Sequence, residues 1–287
     1  MHRLLYAALC VVFLFAAAPA ADAQSVRQMR QEVEASMLVT GHVDIDYDGR
    51  VTASELDHRD KLPPYVINLI EASVPSLRFE PIVVDGAPVL ARAQMSARLV
   101  MAPGTGDEMH LRIASAHFGE LQANDNTGAP RSVRIPPPRF PSEVARVGGQ
   151  GDVYLLVKVG RDGRTEDVHA EQVNLTALGS ARQMARIRQE LTKAAVNQAR
   201  RHWEWAPPTT GPDVDRDYWV VRVPVTFRYT DQSETTYGQW AAYHPGEMSH
   251  PQWAAPVQPG FRPDALVADQ SATPETSRFK LLTPFGG

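Results

Sequence analysis

Val153-Tyr154-Leu155-Leu156-Val157-Lys158-Val159-Gly160-Arg161-Asp162-Gly163-Arg164-Thr165 carries the reading that decides the fold. Val153, Leu155, Val157 and Val159 recur at every second position, and Asp162-Gly163 then turns the chain. Period-two alternation ending in Asp-Gly is a strong hairpin signal, because glycine takes the positive φ of a tight turn at no steric cost. An earlier stretch aligns with this one without a gap. Val39, Gly41, Val43 and Ile45 alternate with Leu38, Thr40, His42 and Asp44, and Asp48-Gly49-Arg50-Val51 follows. Two copies of one pattern point to a duplicated unit.

Working outward, each hairpin precedes a segment of helical period. In the first copy Pro63-Pro64 opens a helix, since proline is tolerated where an amide has no intrahelical partner, and Val66, Leu69, Ile70 and Val74 follow. In the second, Met184, Ile187, Leu191, Ala195 and Ala199 recur three or four apart between Ala181 and Trp203, among Arg, Gln and Lys. That is an amphipathic helix with one solvated face. Each helix ends in an aromatic-acid-proline cluster, Arg78-Phe79-Glu80-Pro81 and Trp203-Glu204-Trp205-Ala206-Pro207, and a long strand follows. The first runs from about Val89 to Met101, the second from Tyr218 to Tyr229. Pro224 interrupts the latter, and a missing ladder donor puts such a strand at a sheet edge or a bulge. Met109, Leu111 and Ile113 add an edge strand to the first unit. The expected class is α+β: two small modules, each an antiparallel sheet of three or slightly more strands covered by helix.

The N-terminus bounds where this fold works. Met1-His2-Arg3, an apolar run from Leu4 to Ala18, then Pro19 and Ala21-Asp22-Ala23, have the order of a cleavable secretory leader, with maturation expected at Gln24. An uncleaved anchor is the alternative, although the run is shorter than the ~20 residues a bilayer span needs. The only cysteine, Cys10, lies within the leader, so the mature chain is expected to have no disulfide and no thiolate. Leu9 before it argues against a lipoprotein. A net charge of −4 offers no basic stripe for nucleic acid and no polybasic membrane patch, which leaves proteins as partners. The organisation expected is a signal peptide over 1–23, a helical lead-in over 24–36, the first module over 37–117, a proline-rich linker over 118–138, the second module over 139–230, and a low-order tail over 231–287. The tail is rich in Pro, Gly, Ser, Thr and Gln, with isolated aromatics and no sustained period.

The second unit resembles the C-terminal domain of TonB. The resemblance rests on Pro138-Arg139-Phe140-Pro141, Ala145, Gly148-Gly149-Gln150-Gly151, Asp162-Gly163-Arg164, the alanine-rich helix, Trp205-Ala206-Pro207 and Val223-Val225-Phe227, in that order. The first unit is a divergent repeat of the same plan. The resemblance implies a periplasmic module, accessory to outer-membrane transport or envelope function, that binds an extended segment of a receptor or other envelope protein as an added strand. It implies no cofactor and no catalysis. Tyr218, Val220, Arg222, Val223, Thr226 and Arg228 are the expected peptide-binding edge, although an edge proline also guards against aggregation. An energy transducer of this type needs a membrane anchor and a long proline-rich reach. It therefore applies here only if the leader stays uncleaved, which is also the only case expected to involve a membrane.

One motif competes. Asp44, Asp46, Asp48, Gly49 and Glu55 have the spacing of a calcium-binding EF-hand loop. Such a loop needs a helix entering at Asp44, whereas Val39-Thr40-Gly41-His42-Val43 alternates and is β-branched, so the hairpin is favoured. His244, Glu247 and His250 lack metal-ligand spacing. No Gly-x-Ser-x-Gly elbow and no phosphate-cradling glycine loop is present.

Overall fold

A computed structural model describes residues 34–84, 86–104, 108–119, 128–177, 179–229, 237–257, 262–267 and 278–283 of the 287-residue chain. The chain is α+β and rich in antiparallel sheet. In the first unit β1 (Glu34–Ile45) and β2 (Val51–Leu56) form the expected hairpin, and α1 (Pro64–Ser73) follows. A two-residue ribbon of β3 (Val83–Val84) and β4 (Ala87–Pro88) leads into β5 (Ala91–Pro103), which pairs with β1 and with β6 (Met109–Gly119). In the second unit β7 (Arg131–Arg134) and the short α2 (Ser142–Arg146) precede the hairpin of β8 (Gly151–Gly160) and β9 (Thr165–Leu175). Then come α3 (Ala181–His202), β10 (Glu204–Ala206), β11 (Tyr218–Phe227) and β12 (Ala241–Tyr243). Strand order β11-β8-β9 in the second sheet repeats β5-β1-β2 in the first, with the opening strand of each hairpin at the centre.

The repeat extends to individual hydrogen bonds. Gly49 N–H donates to Asp46 O, and Gly163 N–H to Gly160 O, each at 3.0 Å. Phe79 N–H donates to Gly49 O and Trp205 N–H to Gly163 O, each at 2.8 Å. The aromatic clusters after the helices thus clasp the hairpin turns. Gly49 and Gly163 have φ of 78° and 75°, and a Cβ on either would meet the carbonyl oxygen of Phe79 or Trp205 at 2.0 or 2.1 Å. The turns demand glycine both for φ and for close approach.

Each helix covers one face of its sheet. Met37, Val39, Val43 and Ile45 of β1 pack with Val66 and Ile70 of α1 and with Met95 and Leu99 of β5. Val153, Leu155, Val157 and Val159 of β8 pack with Met184, Ile187, Leu191, Ala195 and Ala199 of α3 and with Trp219, Val221 and Val223 of β11. Ser180 caps α3, its hydroxyl accepting from Gln183 N–H at 3.3 Å.

Three expected boundaries change. Glu34–Ser36 is not the end of a helical lead-in, because it pairs with both β5 and β12 and opens β1; the rest of 24–36 lies outside the described residues. The linker over 118–138 is not a spacer throughout. Phe118 and Gly119 end β6, Arg131–Arg134 pairs with β10, and Pro136 O accepts from Trp203 Nε1 at 3.0 Å. The described parts of the tail are ordered against both modules: β12 extends the first sheet, Phe279 enters the first core, and Leu281 bridges to Phe79. Sparse aromatics without period gave no element, yet Trp240 packs on the first core, Tyr243 joins the ladder of β12 and Trp253 bonds Asp167, while Phe261 and Phe285 lie outside the described residues.

Candidate functional site

The faces turned away from the helices meet each other. On β8 the even residues Tyr154 and Leu156 are buried, although neither belongs to the core under α3. Across from them stand Ser36 and Leu38 of β1 and Arg98 of β5. A 3₁₀ turn, Pro263–Ala265, touches β5, β6, β9 and β11, so the tail is inserted between the sheets. Asp264 is fully buried there. Its carboxylate accepts from Ser115 Oγ at 2.8 Å, Asn174 Nδ2 at 3.2 Å and the Tyr243 hydroxyl, while its backbone carbonyl accepts from Arg98 Nε at 2.8 Å. Burial, and then the nearby Asp264 carboxylate, push the Tyr243 phenol upward. Ser96 Oγ donates to Ala265 O at 2.6 Å. A buried carboxylate needs such a set of donors to offset its lost hydration.

A second buried polar group lies on the same face. Glu171 occupies a bulge of β9, where Tyr154 pairs with Gln172 and Leu155 with Ala170. Its carboxylate meets Arg222 of β11 in a two-pronged pair at 2.5 and 2.9 Å, with both side chains buried. His250 Nδ1 stands 3.5 Å from the same carboxylate. His117 of β6 faces Arg222; burial and that guanidinium hold its imidazole down to about 4.

Beside Asp264 the sheets leave a cleft of about 300 Å³. Arg98, Tyr154, Asp152 and Arg228 line it with Leu38, Pro224 and Leu266, and Tyr237 and Gly238 border it. Asp152 is engaged, accepting from Arg228 at 2.9 Å and from the Thr226 hydroxyl at 2.9 Å.

Among known proteins the chain matches no family model, no curated protein and no solved structure. Geometry alone therefore places the residues singled out from sequence. Phe140 stacks on Tyr229 at 5.3 Å and meets Phe227 edge-on at 5.7 Å, Pro141 caps α2, and Gly151 opens β8, where a Cβ would meet Asn174 O at 2.4 Å. Asp162 Oδ1 accepts from Arg164 N–H, Trp205 is buried with Nε1 on Thr165 Oγ1 at 3.2 Å, and Pro207 is half-buried next to the Gly163 turn. All of these build the second module, and none lines the cleft.

The expected edge, β11, is terminal in its sheet, and among the described residues no strand pairs with its outer side. Its residues are nonetheless buried from Trp219 through Val225. Val220 has no exposed surface to offer, Arg222 is held by Glu171, and Val223 lies in the core. Tyr218 donates to Trp253 O at 2.7 Å, and Thr226 and Arg228 are bound to Asp152. Packing of the second sheet against the first encloses this strand.

The more open edge is β6. Thr40 O accepts from Asp57 N–H on the β2 side, so alternation turns odd β1 residues toward β5 and even β5 residues toward β6. Ser115 and His117 then bond inward opposite Arg98 and Ser96, and the backbone of Ala116 turns outward. Ala114 and Ala116 are partly exposed, and no described strand pairs beyond them.

The competing calcium loop is a β-hairpin. Asp46 Oδ1 accepts from Asp48 N–H and Arg50 N–H, Asp44 forms a two-pronged pair with Arg92 at 2.6 and 2.9 Å, and Glu55 lies on β2 opposite His42. The Arg92 hydrogen bond holds the Asp44 carboxyl below its ordinary range. Strands, not helices, bracket the turn. Among the described residues no three acidic, histidine or cysteine side chains gather as a metal site, and no helix is long and apolar enough to cross a membrane.

Asp264, Glu171, Arg98 and Tyr154 were missed from sequence. A signal existed in β8 itself: Tyr154 and Leu156 make the strand apolar on both faces, the mark of a strand covered twice.

Proposed function

We propose that this is a non-enzymatic envelope protein of the TonB C-terminal type, exported to the periplasm, that binds an extended segment of a partner protein by strand addition on β6. The observation that carries the reading is the edge itself. β6 is an eleven-residue strand at the end of the first sheet; it bulges at Ala114, and beyond the bulge its outward residue Ala116 is small, partly exposed and uncharged. Natural proteins guard such an edge with lysine, proline, a bulge or a covering segment; the bulge at Ala114 blunts only that point, and the stretch from Ser115 to Phe118 has none of the others. Backbone amides and carbonyls supply the affinity, and side chains at alternate positions set the sequence preference. The chain applies the same chemistry to itself, adding β7 to β10 and β12 to β1. The buried edge of β11 is less suited, because a partner would have to part the two sheets to reach it.

Ala116→Pro tests the reading, since it removes an outward N–H without removing a bond to β5. Capture from envelope extract with the wild-type protein should enrich a receptor or periplasmic protein. The variant should lose that partner while keeping its circular dichroism and melting temperature. Equal capture by the variant, or no enrichment by the wild type, contradicts strand addition at β6.

A further inference from the structure

We propose that the cleft between the two sheets is a binding site for a small organic carboxylate. Arg98 reaches it from β5 and carries a positive charge that burial opposes and that the neighbouring Asp264 and Asp152 carboxylates sustain. Its Nε donates to the carbonyl of Asp264 and its Nη1 to Ser36 Oγ at 3.2 Å. Among the described residues no carboxylate comes within ion-pair distance of this guanidinium, whereas Arg222 and Arg228 are each held by a carboxylate. Two of its five N–H groups are thus engaged, and the rest remain for a ligand.

Tyr154 is the second, independent observation. It lines the cleft at 2% exposure, and no described residue bonds its hydroxyl. Burial, and then Asp152, push that phenol well above its ordinary range, so it is a donor at every physiological pH. The hydroxyl opens on the cleft, where a ligand oxygen can accept from it. The Asp264 carboxylate takes its hydrogen bonds from Ser115, Asn174 and Tyr243, and Tyr154 is not among its donors.

The remaining wall sets the ligand's shape. Leu38, Pro224 and Leu266 are apolar, and about 300 Å³ is at the small end of ligand pockets. A carboxylate on a compact apolar body fits: the head accepts from Arg98 and Tyr154, and the body lies against Leu38 and Pro224. This site is separate from the β6 edge and does not depend on strand addition.

Benzoate, with benzamide as its uncharged counterpart of the same shape, probes the site by calorimetric titration of the whole protein. Benzoate should bind saturably at one per chain, with benzamide at least about tenfold weaker. Tyr154→Phe breaks no hydrogen bond within the chain, so it should weaken benzoate about tenfold while the melting temperature holds. Equal affinity for the two probes, no saturable benzoate binding, or wild-type affinity in Tyr154→Phe overturns the proposal.

Discussion

Two glycines and one histidine show how much single positions decide. Gly163 sits at φ 75° with the Trp205 carbonyl pressed against the place a Cβ would take, and Gly49 repeats this against Phe79. Gly163→Ala should therefore cost about 1–3 kcal/mol or more, read as a lower urea midpoint with an unchanged slope. The turn residues were legible in the sequence because Asp-Gly after an alternating run has one cheap conformation. The clasp that makes glycine obligatory was not, since it joins residues thirty or more positions apart through backbone atoms. His117 makes the opposite case, a side chain whose meaning comes only from its surroundings. Its imidazole is held to about 4, against an ordinary 6.5, by burial and then by Arg222. Between those values the unfolded chain takes up a proton that the fold refuses. The stability contributed by neutral His117 is therefore full above about pH 6.5 and is lost as pH falls toward 4. Urea midpoints measured from pH 7 to 4 should fall less steeply in His117→Gln than in the wild type.

At the scale of elements, hairpins and helices were readable because each satisfies its own period. The long-range strands were not. β12, Pro263–Ala265 and the Phe279–Leu281 segment have no repeating apolar pattern, and only their partners give them shape. Phe279 tests that difference. It is buried in the first core with Phe79 and Phe118. Phe279→Ala should cost about 3–5 kcal/mol by the usual cavity and transfer terms, measured by thermal or urea unfolding, whereas a loosely draped tail would leave stability unchanged. β11 and β6 form a similar contrast. Proline correctly pointed to a terminal position for β11, but whether an edge is open depends on what packs over it. That depends on a second sheet more than a hundred residues away in the chain.

Taken whole, the molecule is two repeats set face to face with their helices outside and a polar layer between. Asp264 draws hydrogen bonds from β5, β6 and β9 and from Tyr243 of β12, so one tail residue ties the two sheets together. Asp264→Ala leaves Ser115, Asn174 and Tyr243 without their acceptor and should destabilise the protein by roughly 3 kcal/mol, with both modules still melting in one transition. Two transitions would mean that the modules fold independently. Duplication was visible in the sequence, but the meeting of the sheets was not, because Asp264 and its partners share no motif. That meeting closes β11 and leaves β6 open, and residue-resolved amide exchange tests it most directly. The Ala116 amide should exchange far faster than those of Ser115 and His117 beside it, while the amide of Val220, on the outer side of β11, stays protected under the packed sheets. Equal protection across Ser115, Ala116 and His117 would contradict the account.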